Sequence, residues 1–155
     1  MSSTPLVRCA ETDADIAACF RVMAQLRPHL EDETFVARVR RMAEGGYRLS
    51  FVEQDGAVRA VAGYRFLEML ATGRILYVDD LVTDAAARSR GHGERLLVWL
   101  REEAERYGCR YVELDSGNTR LDAHRFYERC GMEKVAFHFS LPCSGVEKWE
   151  SPELS

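Results

Sequence analysis

Asp80-Leu-Val-Thr-Asp-Ala-Ala-Ala-Arg-Ser-Arg-Gly-His-Gly-Glu-Arg-Leu-Leu-Val-Trp-Leu100 joins the end of an apolar strand, read from Ile75 to Thr83, to a strongly amphipathic helix. The junction Arg88-Ser-Arg-Gly-His-Gly93 places two glycines where a strand-turn-helix unit opens its helix. Glycine permits backbone conformations and close approaches that a Cβ forbids. The first turn of a helix presents free N–H groups and the positive end of the macrodipole, and both favour an anion. Arg88 and Arg90 add positive charge on either side. Taken alone, the stretch reads as a pyrophosphate-binding turn or as a loop merely punctuated by glycine.

Toward the C-terminus, the helix after Gly93 carries Leu96, Leu97, Leu100, Ala104 and Tyr107 as its buried stripe, and Gly108 stops it. Cys109 to Leu114 is the next predicted strand. A strand, helix and strand with short connections imply a right-handed crossover and parallel pairing. A further helix is predicted over Leu121 to Arg129, ending at Gly131, and Val135 to Leu141 alternates as a last strand.

Toward the N-terminus, Leu6 to Ala10 reads as a first strand. Thr12 or Asp13 caps a helix bearing Ile16, Phe20, Met23 and Leu26, closed by Pro28. A second helix starts near Asp32 with Phe35, Val36, Val39, Met42 and Ala43 on one face, and Gly45-Gly46 ends it. Arg38, Arg40 and Arg41 read as its solvated side. Tyr47 to Glu53 alternates as a strand, and Gln54-Asp55-Gly56 signals a hairpin returning as Val58 to Leu70. Gly63 in that strand marks a bulge or a close backbone approach. The predicted order is β-α-α-β-β-β-α-β-α-β. The fold class is α+β, a mixed, mostly antiparallel twisted sheet with helices on both faces. Residues 1–143 form the expected single domain and residues 144–155 a polar tail.

The chain has 155 residues, enough for one well-formed core. Its net charge of −4 argues against nucleic acid as the main partner, because phosphate backbones reward a basic face. No apolar run approaches the ~18 residues of a membrane span, and the N-terminus lacks a signal-peptide pattern, so a cytoplasmic location is expected. Cys9, Cys19, Cys109, Cys130 and Cys143 lie far apart and form no Cys-x-x-Cys pair, so neither a disulfide framework nor a metal site is expected.

The element order and Arg88-x-x-Gly91-x-Gly93 after the fourth strand resemble the GNAT superfamily of acetyl-CoA-dependent N-acetyltransferases. A second block, Ala123-His-Arg-Phe-Tyr127-x-x-x-Gly131, is similar to the pattern of the fourth GNAT helix. The resemblance covers roughly residues 75–141. It implies that Leu81, Val82 and Thr83 offer their backbone to the pantetheine arm of coenzyme A. It further implies that amides of Arg88, Ser89, Arg90, Gly91, His92, Gly93 and Glu94 bind the pyrophosphate. Asn118 lies near the usual asparagine after the fifth strand, two residues further from the tyrosine than in the commonest pattern. Tyr127 matches the tyrosine that serves as general acid toward the cofactor sulfur. No metal is implied.

Acetyl transfer to an amine requires a neutral nucleophile, a polarised carbonyl, a proton for the leaving sulfur and correct positioning. Asp80 and Asp79 are the candidate bases. As neighbours in a strand they are expected to point to opposite faces, leaving one in the cleft. The bland alternative is that one or both bind an arginine. His92 is expected to matter through its backbone N–H, His124 to be a packing residue near Tyr127, and His138 to be a strand residue.

Two function classes follow. One is an N-acetyltransferase acting directly on a primary amine of a small molecule, or on an N-terminal or lysine amine of a protein. The other is a non-catalytic acetyl-CoA-sensing or interaction module. The segment Ser116 to Tyr127 is similar to aminoalkylphosphonate acetyltransferases, which implies an amine with an acidic group, for which Arg27, Arg65 and Arg74 are candidates. A Rossmann site falls because the glycines follow the fourth strand and position 96 is Leu. No membrane partner is expected, and an exposed sheet edge leaves room for a homodimer.

Overall fold

The computed structural model describes residues 3–147. Thr12 caps α1 (Asp13–Leu26) through its side chain, which accepts from the Asp15 amide, as its position before an apolar periodicity predicts. β1 (Leu6–Cys9) precedes that helix, and α2 (Asp32–Glu44) follows it. β2 (Arg48–Gln54) and β3 (Ala57–Met69) are joined by Asp55-Gly56, whose positive φ angles of 54° and 74° suit a primed hairpin turn. β4 (Gly73–Thr83) then leads through a single 3-10 turn (Ala85–Ala87) into α3 (His92–Arg106), β5 (Tyr111–Leu114) and α4 (Leu121–Arg129).

The sheet runs β1-β2-β3-β4-β5, antiparallel except for the parallel β4–β5 pair created by the α3 crossover. Two apolar layers cover it. One face packs Val52, Ala62, Tyr64, Leu76, Val78 and Leu81 against Leu96, Leu97 and Leu100 of α3 and Tyr127 of α4. The other packs Tyr47, Leu49, Phe51 and Val61 against Ile16, Val22 and Met23 of α1 and Phe35 and Val39 of α2. Helices on both faces of a mixed sheet are the predicted architecture.

Two features of the fold place the site. β4 pairs with β5 only from Ile75–Tyr111 to Val78–Leu114, and β4 continues to Thr83 while β5 ends. The strands therefore part, and the β4 backbone from Asp79 onward lacks a β5 partner. Second, Gly63 opposes Asp80 whereas Tyr64 opposes Val78, so Asp79 is the extra residue of a β-bulge.

Two expectations need correction. Val135 to Leu141 does not form a strand, and its apolar side chains Val135, Phe137, Phe139 and Leu141 are exposed. Alternation marks a segment able to pair, but a strand also needs a neighbour to bond. Tyr107 is 41% exposed, because it caps the end of α3 instead of continuing the stripe, and its ring stacks near Phe66 and under Arg106. Of the polar tail, residues 148–155 lie outside the described residues.

Candidate active site

The glycine loop opens at Asp84, a buried carboxylate that was not singled out from the sequence. It accepts from Arg21 Nη2 at 2.8 Å, Gln25 Nε2 at 3.1 Å and the Ala86 amide at 3.2 Å, while Gln25 Oε1 accepts from the Ala85 amide at 2.9 Å. Two side chains of α1 thus strap the loop's entrance. The arginine and the other donors hold the Asp84 carboxyl well below the usual carboxylate range.

The two glycines do different work. Gly91 is the N-cap of α3 at φ +78°, a left-handed conformation that strains residues with a Cβ. Gly93 has an ordinary φ, but a Cβ there would sit 3.1 Å from Thr83 Oγ1 and 3.4 Å from Phe126 Cζ. It allows the first turn of α3 to lie against both β4 and α4. Arg88, Ser89, Arg90 and Glu94 are exposed around this turn, and Ser89 holds a φ of +64°. The turn offers its first N–H groups without intrahelical acceptors. Such a cradle fits a pyrophosphate. The His92 ring is buried with neither nitrogen hydrogen-bonded, and burial first, then Arg59, Arg90 and Arg95, lowers its pKa. The ring is a packing group here.

Tyr127 is buried on the α3 side of the sheet in one cluster with Leu81, and burial pushes its hydroxyl up to about 12. It stays protonated at any ordinary pH. One turn earlier on α4, His124 Nε2 lies 2.8 Å from the Gly117 carbonyl oxygen. This contact ties α4 to the loop that carries Asn118, which is itself exposed in a turn.

The carboxylates depart from expectation. Alternation would send Asp79 and Asp80 to opposite faces. The bulge inserts Asp79 as an extra residue, so Val78 and Leu81 both join the α3 layer and both aspartates turn toward the α1–α2 face. There Asp80 Oδ1 accepts from Arg27 Nε at 2.9 Å and Oδ2 from the Tyr47 hydroxyl at 2.7 Å. Asp79 accepts from Arg65 Nε at 3.0 Å and Nη2 at 2.6 Å, and the Arg65 guanidinium lies over the Tyr47 ring. Arg27 also donates to the Asp79 carbonyl oxygen at 3.0 Å. Burial raises the Asp79 pKa despite Arg65, and burial with Asp80 raises that of Tyr47 far more.

Of the arginines considered for an acidic substrate group, Arg27 and Arg65 are committed to these aspartates, and Arg74 stacks over Phe66. Tyr47 was missed. Its signal was Gly63, because a Cβ there would come within 1.8 Å of the Tyr47 hydroxyl oxygen and 2.6 Å of Asp80 Oδ2.

Beside this cluster opens a cleft of about 630 Å³, lined by Met23, Leu26, Phe35, Val39 and Met42 together with Arg27, Tyr47 and Asp80. The cleft belongs to the α1–α2 face and the glycine loop opens from β4 into α3. A sheet parted at its parallel pair, a glycine cradle at the start of the crossover helix and a protonated tyrosine are the features that the resemblance to acyl-transfer proteins implies.

Comparison with known proteins agrees. The profile of the Acetyltransferase (GNAT) family matches residues 11–132, and the chain belongs to that family. An uncharacterized N-acetyltransferase of Bacillus subtilis is 34% identical over 81% of this chain and 90% of its own length. Glucosamine 6-phosphate N-acetyltransferase 1 of Oryza sativa subsp. japonica is 38% identical over 76% of this chain and 75% of its own. The aminoalkylphosphonate N-acetyltransferase of Salmonella typhimurium matches at 38% identity over 41% of each chain. The structure of an aminoglycoside N-acetyltransferase in complex with CoA superposes with a TM-score of 0.81 at 14% identity, covering 92% of this chain and 96% of that one. The protein is therefore an enzyme of the N-acetyltransferase class.

Proposed function

We propose that residues 1–143 form one catalytic domain that transfers an acetyl group from acetyl-CoA directly to the primary amine of a small molecule. The observation that carries this reading is the cleft that Asp80 helps to line. Its ~630 Å³ falls within the roughly 300–1,000 Å³ of small-ligand sites, and its walls are mostly apolar with a few convergent polar groups. The match to proteins named for amino-sugar phosphate and aminoalkylphosphonate acetylation supports the same class of acceptor.

Bound acetyl-CoA supplies the activated acetyl group. In this reading the backbone of Leu81, Val82 and Thr83 pairs with the pantetheine arm along the unpaired side of β4. The Arg88–Glu94 turn, with Arg88 and Arg90, takes the pyrophosphate, and Asn118 borders the cofactor. The amine enters from the cleft and meets the thioester in the opening between the strands. Each oxygen of Asp80 already accepts one hydrogen bond, yet a carboxylate has about four lone-pair positions. Asp80 therefore retains acceptor capacity for the ammonium proton, received through a water. Asp79 holds Arg65 over Tyr47 and so orients the cluster. As the new C–N bond forms and the C–S bond breaks, the Tyr127 hydroxyl gives its proton to the sulfur.

The test is thiol release from acetyl-CoA with a panel of amino-sugar phosphates, aminoalkylphosphonates, aminoglycosides and lysine peptides. Turnover on small amines at kcat/KM above that on peptides is expected. Acceptance of peptides alone would point to a protein acetyltransferase. Tight acetyl-CoA binding with no turnover on any amine would instead favour the sensor reading.

A further inference from the structure

We infer that the acceptor is a primary amine carried on an apolar body whose far end bears an acid, and that Arg38 reads that acid. The inference rests on the small-molecule reading above and names the chemistry of its substrate. Met23, Leu26, Leu30, Phe35, Val39 and Met42 line the cleft. Their side chains offer a hydroxyl nothing better than the weak thioether acceptor of methionine. A polyol such as an amino sugar would exchange its bonds to water for contacts with these walls, and a hydroxyl buried without a partner is costly. A hydrocarbon chain or an aromatic ring gains from the same walls.

Most of the polar lining is already engaged. Gln25 bonds to Asp84 and the Ala85 amide, Arg27 to Asp80 and the Asp79 carbonyl oxygen, and Tyr47 to Asp80. The side chains of Arg38 and His29 also line the cleft, and they make no hydrogen bond or ion pair among the described residues. Arg38 stands three residues after Phe35 and four before Met42, so the three share one face of α2, the face on the cleft. Arg40, by contrast, pairs with Asp13. Arg38 is solvated, as its charge predicts, yet it is solvated on the rim of the cleft.

Charge decides what the far end of the acceptor carries. The lining holds two arginines, Arg27 and Arg38, against one carboxylate, Asp80. A plain amine arriving as an ammonium ion would add another cation to this set. An acceptor with its own acid brings the anion that Arg38 lacks, and a planar guanidinium can grip a carboxylate or phosphonate through two parallel bonds. Burial orders the two ends. Tyr47 is buried and the Asp80 side chain is 14% exposed, whereas Arg38 and His29 are exposed. The amine therefore goes inward to Asp80 and the acid stays at the rim. The transfer itself is the one described above, and the rim acid remains an ion throughout.

Thiol release from acetyl-CoA tests this with ω-aminooctanoate, the corresponding ω-aminoalkylphosphonate, octylamine and glucosamine 6-phosphate, on the wild type, Arg38→Gln and Arg38→Lys. The wild type should favour at least one of the acid-bearing chains over both octylamine and glucosamine 6-phosphate by about 10-fold in kcat/KM, the low end for a bond to a charged group that stays partly solvated. Whichever acid turns over faster names the group that Arg38 reads. In Arg38→Gln the preference over octylamine should vanish through a rise in KM, and Arg38→Lys should keep part of it. Arg38 is exposed, so neither change disturbs the core. A wild type that favours glucosamine 6-phosphate, or takes octylamine equally well, overturns the inference and leaves the small-molecule function standing. So does an acid preference that survives Arg38→Gln. Turnover on lysine peptides and on none of these amines would instead remove the small-molecule reading, and this inference with it.

Discussion

Gly63, Tyr47 and Asp80 show how a single missing side chain can assemble a site. With no Cβ at position 63, the Tyr47 hydroxyl reaches across β3 to Asp80 on β4. Gly63→Ala should drive the buried tyrosine off Asp80. Overpacking of this kind costs roughly 1–3 kcal/mol, so the urea midpoint should fall and kcat/KM should fall with it. Unchanged values for both would mean that the contact is incidental. Tyr127 bears on chemistry more directly. Tyr127→Phe keeps the ring and removes the proton, and general-acid loss is typically ~10²–10⁴-fold in rate. Its fall should appear in kcat and leave the dissociation constant for acetyl-CoA nearly unchanged. The sign of the pH effect follows from burial. An ordinary tyrosine ionises near ~10, whereas Tyr127 is pushed up to about 12. The wild-type rate should therefore not decline through Tyr127 ionisation as pH rises from 7 to about 10. An alkaline limb in that range that Tyr127→Phe abolishes would contradict the assignment.

At the scale of elements, the glycine loop depends on α1 as much as on α3. Asp84 accepts from Arg21, Gln25 and the Ala86 amide, so the helix that lines the cleft also holds the loop entrance. Because the folded pKa of Asp84 is depressed, its contribution is fully present above the unfolded value of ~3.9 and is lost as pH falls through the lower folded value. Asp84→Asn keeps the shape and removes the charge. The variant should lose on the order of 1 kcal/mol at pH 7, since Arg21 is largely exposed and solvent screens the pair. It should also lose part of the wild-type decline in stability below about pH 4. Thermal melts across pH 2–8 would measure both, and a variant curve parallel to the wild type would sink the idea. The second element-scale feature is the bulge at Asp79. It places both aspartates beside the cleft, each with its own arginine, where a regular strand would have separated them.

Across the whole molecule, two apolar layers meet on a sheet whose strands part at one place. Filling that opening should tighten both halves. Acetyl-CoA at about 100 times its dissociation constant should stabilise the protein by ~2.7 kcal/mol and raise its Tm accordingly. The increase should shrink when Gly91→Ala strains the first turn of α3. A Tm that ignores acetyl-CoA would mean that the cradle does not hold it.

Much of this was legible from the chain alone. The Thr12 cap, the Asp55-Gly56 hairpin, the α4 span and the glycine turn all depend on signals within a few residues: a capping oxygen, a positive φ, a periodicity of three to four. Membership of the acetyltransferase family was equally legible, because the two motif blocks lie in a fixed order along the chain. Other features came only with the tertiary structure. Asp79 is a bulged residue because Gly63 and Tyr64 on another strand skip it, and no local pattern records a neighbour's register. Tyr47, Arg27 and Arg65 converge on the aspartates from three separate parts of the chain. Val135 to Leu141 carries the alternation of a strand, yet pairing also requires a neighbouring backbone in register, which no local pattern records. Sequence determined which elements form and what chemistry the loop can offer, because those are short-range properties of the backbone. Tertiary structure decided which carboxylates share a face and which strand is left without a partner, because both are set by contacts between distant segments.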